Sequence, residues 1–303
     1  MISRRHVVSP QTTRPRVLVP VLMGQAARPI ISLGDALSSS PGASGQMLAL
    51  VDIRGGRDNG VFAQQQRRRD MLFWLAGQEY SHDVRHRMGL SLRMTANAAS
   101  SVRDAVAEHG TTVLVLEWPT TNSLRRHGLI DLSRQLVPDE STDVLLVRPN
   151  PRVQNQVIGP RTILAAIRGG PSARAVAHTA AALADVFGSV LTLLHVQTPS
   201  RHPDRSRREW HSFEEIVSGL NRPATIVTLR RREAAAPAIL EESAGHELLM
   251  IGSRLDPLRP TTLIARELDR MVRHLDLPVV MMKVRSTMPL ETARLSATNG
   301  HVA

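Results

Sequence analysis

The strongest constraint on this chain is that it repeats itself. Arg16-Val-Leu-Val-Pro-Val-Leu22 and Arg161-Thr-Ile-Leu-Ala-Ala-Ile167 are short apolar runs, each followed by a small-residue loop and a helix-compatible stretch, Ala27–Ser39 and Ala173–Phe187. The next apolar runs, Met47–Ile53 and Val190–Val196, follow at nearly the same distance: Val17 to Leu48 spans 31 residues and Ile163 to Leu193 spans 30. Polar, arginine-rich helical segments come next at Ala63–Tyr80 and Arg207–Leu220, then strands at Leu90–Met94 and Thr225–Leu229, then helices at Asn97–His109 and Ala234–His246. Thr112–Trp118 corresponds to Glu247–Ser253 at an offset of 135 residues, and Val144–Val147 keeps the same offset from Val279–Met282. Elements that recur in one order at near-constant spacing make two copies of one unit.

Each copy reads β-α-β-α-β-α-β-α-β. Strands that are apolar throughout and alternate with helices require a parallel sheet covered on both faces. Right-handed crossovers then give an α/β fold of two tandem Rossmann-like units, each a five-stranded parallel doubly wound sheet. Loops at the carboxyl ends of the strands form the default ligand crevice. Asn97 stands where an N-cap belongs, and Gly188 stands just past the end of its helix. The boundaries that follow are a flexible start at 1–15, unit one at 16–149, a linker at 150–160, unit two at 161–285 and a disordered tail at 286–303.

Composition narrows the function classes. Aromatic residues are only 3% of the chain, so both cores must be aliphatic, and there is no cysteine for a disulfide, a thiolate metal site or a thiol nucleophile. No run approaches the roughly 18 apolar residues of a membrane span, and the first residues lack the apolar region of a secretory signal. A cytoplasmic protein without membrane insertion is the expectation. The formal charge is +11, carried almost entirely by arginine, Lys283 being the single lysine. The basic runs, such as Arg67-Arg68-Arg69, are scattered and carry no interleaved aromatic ladder, which argues against specific nucleic-acid binding. The histidines lack ligand spacing for a metal, and no nucleophile elbow, paired catalytic carboxylates or intact phosphate loop is present, so no enzyme is expected.

The fourth strand ending Met250-Ile-Gly-Ser253 and the closing Leu268-Asp-Arg-Met-Val-Arg-His-Leu-Asp-Leu-Pro-Val-Val280 resemble the universal stress protein family, within the adenine nucleotide alpha hydrolase-like folds. The resemblance covers 161–284 well and 16–148 weakly. Ile167-Arg-Gly-Gly-Pro-Ser-Ala173 is similar to the first loop of stress-protein domains appended to amino-acid permease-type transporters. The resemblance implies an aspartate after the first strand, near adenine and ribose, and a G-x-x-G-x9-G-[ST] series after the fourth to hold phosphates. Glycines let backbone N–H groups approach phosphate oxygens, and a helix N-terminus completes the anion site. This chain departs from that pattern. Arg168 holds the aspartate position, Leu255 the second glycine, and Ala265 and Arg266 stand near the final pair; in unit one Glu117 replaces the leading glycine.

The ligand-binding candidates are therefore Arg168, Gly169, Gly170, Ser172, Gly252, Ser253 and Arg254, all in unit two. Two readings of Arg168-Gly-Gly-Pro171 stand: an anion nest, or a tight strand-to-helix turn with a solvent-facing arginine. Gly252 either leaves room for an anion contact or only lets the chain leave a buried strand. Asp35 is expected on a helix surface, and His195 is expected as a hydrogen-bonded core or rim residue. The resemblance implies that the units pair within the chain along their fifth strands, through Val144, Leu146, Val279 and Met281. The expected function is a non-catalytic stress-response regulator that is not a standard ATP binder. Two alternatives remain open: a soluble regulatory partner of a membrane transporter, and a switch that binds ATP, AMP or cyclic di-AMP in unit two alone. A homodimer is a further expected assembly.

Overall fold

The computed structural model describes residues 14–23, 27–53, 60–77, 87–118, 142–153, 158–168, 171–197, 203–231, 235–253, 271–272 and 274–284. Unit one contributes β1 (Arg16–Leu22), α1 (Ala27–Ser38), β2 (Ser44–Asp52), α2 (Val61–Gly77), β3 (Met88–Thr95), α3 (Ala98–His109), β4 (Val113–Glu117) and β5 (Asp143–Arg148). Unit two contributes β6 (Thr162–Ala166), α4 (Pro171–Phe187), β7 (Val190–Gln197), α5 (Pro203–Ser218), β8 (Thr225–Arg230), α6 (Ala235–Ser243), β9 (Leu248–Ser253) and β10 (Val279–Lys283). Met271 and Val272 are helical as well.

Local chemistry explains the element ends. The Asn97 side chain accepts a 3.1 Å hydrogen bond from the Ser100 N–H at the start of α3, satisfying one of the donors that a helix N-terminus leaves unpaired. α3 stops at Gly110 and α4 at Gly188, whose φ angles of 56° and 65° lie in the left-handed region open to glycine. β2 starts three residues earlier than its apolar run, because Ser44, Gly45 and Gln46 pair with Arg16, Val17 and Leu18 of β1.

The ten strands form one sheet in the order β3-β2-β1-β4-β5-β10-β9-β6-β7-β8. Within each unit all neighbours are parallel, and in both the order is that of a doubly wound sheet, with the first strand between the second and the fourth. Alternating residues feed two layers. Val17, Val19 and Val21 join a core with α1 and α4, while Leu18 and Leu22 join the opposite core with α3. The architecture is three layers, helices on both faces of a continuous sheet.

The units meet where β5 and β10 pair antiparallel, with Met281 opposite Leu146 at the centre and Val279 opposite Arg148 and Lys283 opposite Val144 at the ends. Val144, Leu146, Val279 and Met281 are all buried, and α1 packs against α4 across the join. Burying apolar side chains of this size contributes about 1.5–3 kcal/mol each. Each joining strand ends in a buried cation, Arg148 in one and Lys283 in the other, at two-fold related positions. The Arg148 guanidinium donates to the carbonyls of Leu275 (2.9 Å) and Leu277 (3.3 Å), which ties β5 to the turn leading into β10. Burial pulls the Arg148 pKa down from its ordinary value, and the nearby Asp276 charge works in the opposite direction.

One expectation is corrected. Asp35 is buried, and its carboxylate receives both Nε (2.9 Å) and Nη2 (2.6 Å) of Arg87. A helix position that reads as surface is covered once β3 and the residue before it fold across α1, and the bidentate pair offsets the cost of burying the charge.

Candidate functional site at the switch points

In each unit the first strand lies between neighbours reached by crossovers in opposite directions, and this opens a crevice at its carboxyl end. In unit two the crevice lies past β6 and β9, which pair from Ile163↔Leu248 to Ala166↔Ile251. Beyond these pairs come Ile167 and Arg168 on one side and Gly252 and Ser253 on the other. Arg168 and Gly252 are exposed. Ser253 remains paired with Lys283 and Gly252 with Met282. Gly169, Gly170 and Arg254 lie outside the described residues, as do Leu255, Ala265 and Arg266.

Gly252 stands over the first turns of α4. A Cβ built there would lie 3.4 Å from Val176 Cγ2, 3.9 Å from Ser172 Cβ and 4.0 Å from Ser172 Oγ. The glycine has no positive φ, so the backbone does not demand it. A Cβ would sit in ordinary van der Waals contact with Val176 and Ser172, at the amino end of a 17-residue helix. That end carries unpaired backbone N–H groups and the positive pole of the helix dipole. Arg168 at the end of β6 is exposed and Ser172 at the start of α4 is half-buried, residue types that can donate to an anion beside a helix N-terminus.

His195 supports this loop from beneath. It is 2% exposed in β7, and its ring packs on Phe213 (centroids 4.7 Å apart, planes at 27°) and against Trp210 (5.6 Å). Its Nδ1 lies 3.2 Å from the Ile167 carbonyl, so the neutral ring donates there and holds the residue before Arg168. Burial is the main cause that lowers the His195 pKa, and the Arg168 charge adds to it. The Ile167 carbonyl and Glu209 act in the raising direction. Trp210 and Phe213 come from α5, whose aromatic pair sequence reading did not connect to the loop. The signal was present as the spacing of Trp210 and Phe213 at i, i+3.

The equivalent positions in unit one follow from the registers. Val17 lies opposite Val113 as Ile163 lies opposite Leu248, so Leu22 stands where Arg168 does, Glu117 where Gly252 does and Trp118 where Ser253 does. Leu22 is 4% exposed, Glu117 7% and Trp118 2%. Leu22 and Trp118 belong to one apolar cluster with Leu48, Leu50 and Ala98, and the Trp118 N–H donates to the Val147 carbonyl at 2.7 Å. This crevice holds side chains of the protein itself. Among the described residues no group of three His, Asp or Glu side chains converges as a metal site.

Comparison with known proteins agrees with this layout. The Universal stress protein family model matches residues 160–283. A universal stress protein from Archaeoglobus fulgidus DSM 4304 has a similar structure, with a TM-score of 0.58 and 13% identity over 90% of this chain and 97% of that one. The cytoplasmic domain of a prokaryotic cation chloride cotransporter is similar with a TM-score of 0.54 and 14% identity, over 91% of this chain and 98% of that one. At such identities the likeness is one of fold. No curated protein matches the chain in sequence.

Proposed function

From the match of residues 160–283 to the Universal stress protein family model we propose that the chain is a non-catalytic, stress-type regulatory protein that senses an anionic ligand through unit two alone. The observation that carries the reading is the contrast at one pair of positions: Arg168 and Gly252 are exposed, whereas Leu22 and Glu117 are buried at the equivalent points. Unit one supplies the other half of the sheet rather than a second site.

An adenine nucleotide held in the manner the family resemblance implies fits these residues incompletely. Arg168 stands where an aspartate would meet the ribose, and a guanidinium recognises phosphate or carboxylate instead. Ser172, Gly252 and the start of α4 would hold an anionic group by hydrogen bonds and charge. AMP and cyclic di-AMP are therefore candidates alongside ATP, with Arg168 facing phosphate rather than sugar.

Isothermal titration of the whole chain with AMP, ATP and cyclic di-AMP tests the proposal. One site per chain is expected, abolished by Gly252→Glu, which sets a carboxylate over the helix N-terminus. Two sites per chain, or binding indifferent to Gly252→Glu, would contradict it, and turnover of ATP to ADP would contradict the non-catalytic part.

A second reading is favoured by the similarity to the cytoplasmic domain of a cation chloride cotransporter, which spans nearly the whole of both chains. In that reading the protein acts as a cytoplasmic regulatory partner of a membrane transporter. No described helix is long and apolar enough to cross a membrane itself. Recovery of a transporter by affinity capture from solubilised membranes would support this reading over a free-standing sensor.

A further inference from the structure

A second cleft, of about 330 Å³, lies at the join of the two units and away from the switch-point crevice of unit two. One wall comes from the connection between the units, including Asn150, Val153 and Ile158; the other comes from His246 and Glu247 before β9 and from the 276–278 turn before β10. Pro29 in the first turn of α1 also lines it. The connection is fastened there, because the Ile158 N–H donates to Ser32 Oγ at 2.9 Å. Prolines at 149, 160 and 278 also line it, so much of the wall has little conformational freedom to lose on binding.

The chemistry of the lining is one-sided. Glu247 accepts the Arg161 N–H through Oε2 at 2.7 Å, which leaves Oε1 for another donor. Asp276 meets Arg152 through Oδ2 at 2.5 Å, which leaves Oδ1. His246 places Nδ1 3.0 Å from the Glu242 carbonyl, so Nδ1 donates there and Nε2 is the acceptor of the neutral ring. The Asn150 oxygen is engaged by the Arg152 N–H, which leaves its amide N–H group as the one side-chain donor of this polar set. Two carboxylates and an imidazole lone pair, with one paired arginine at the edge, make this an acceptor-rich place on a chain of net charge +11. These groups are not a metal site, since no three such side chains converge among the described residues.

We propose that this cleft binds a small organic cation, with an ammonium, amidinium or guanidinium head toward Glu247 and Asp276 and a short apolar tail against Val153, Ile158 and Leu277. The volume falls at the small end of the range for small-molecule sites, roughly 300–1,000 Å³. Clefts between domains are favoured positions for such sites. Because the walls come from both units and their connection, the ligand would brace the join. The proposal is independent of the anion site in unit two.

The test is isothermal titration of the full chain with agmatine and n-butylammonium, with butyrate as the counter-probe of opposite charge. Saturable sub-millimolar binding of at least one cation is expected, with no heat from butyrate, and Gly252→Glu leaves it unchanged. Glu247→Gln combined with Asp276→Asn weakens it at least about tenfold, the effect of removing charge-assisted hydrogen bonds. Gln keeps the acceptor for the Arg161 N–H, and Asp276 is half exposed, so the double variant is expected to fold, which its thermal unfolding transition checks. Failure of both cations to saturate the wild-type chain, equal binding of butyrate, or undiminished affinity in the double variant would overturn the proposal.

Discussion

At the carboxyl end of β1 the first unit places Leu22, and at the end of β4 it places Glu117 and Trp118. At the same points the second unit places Arg168, Gly252 and Ser253. The strand registers are equivalent, so at these positions the difference lies in the side chains. An apolar pair and a buried carboxylate complete the core of one crevice, while an exposed arginine and an exposed glycine stand at the other. The contrast continues one strand away. The position of His195 in β7 is taken in β2 by Ala49, so the imidazole that holds the Ile167 carbonyl has no counterpart in unit one. The fold has two switch points, and one of them is filled by Leu22, Glu117 and Trp118.

The largest expected effect lies in the filled crevice. Trp118→Ala empties a fully buried site and is expected to lower stability by about 3–5 kcal/mol in denaturant unfolding. Gly252→Ala, with no contact closer than 3.4 Å, shifts it by less than about 1 kcal/mol. Similar costs at the two positions would break the comparison. Next comes ligand stoichiometry. Glu117→Gly removes the carboxylate but leaves Leu22 and Trp118 in place, so nucleotide titration is expected to show no second site. Appearance of one would mean that the charge alone had closed unit one.

The smallest effect is a dependence on pH. With its pKa lowered by burial, folded His195 stays neutral at a pH where the unfolded imidazole takes up a proton, so stability falls as pH drops below the ordinary value of 6.5. The fall ends once pH passes below the lowered folded value. His178 on α4, also lowered by burial and by Arg174, acts in the same direction. Comparing denaturant midpoints between about pH 7.5 and about 5.5 should show a shallower fall for His195→Gln than for the wild type. Equal slopes would show that the ring is not what couples the loop to pH.

Much of this was legible in the amino-acid order. β1 begins and ends where its apolar run does, and Asn97 caps α3 as its residue type requires, because both depend on neighbours in sequence. The equivalence of Glu117 and Gly252 was also legible from the constant offset. What sequence could not supply were partners fixed by long-range packing. Asp35 meets Arg87 across 52 residues, and the cleft lined by Asn150, Glu247 and Asp276 draws on segments that meet only after both units fold. For the same reason Leu22 reads as the end of a strand, and only the strand registers reveal that it replaces Arg168.

Lys283 is the single lysine of the 303 residues, and it lies 6% exposed at the end of the strand that joins the units. The chain therefore offers amine-directed chemistry almost no ε-amino group while the sheet is continuous. Acylation at that one nitrogen would register the parting of β5 from β10 as a single mass increment. The protein carries at its seam a built-in reporter of whether its two halves are together.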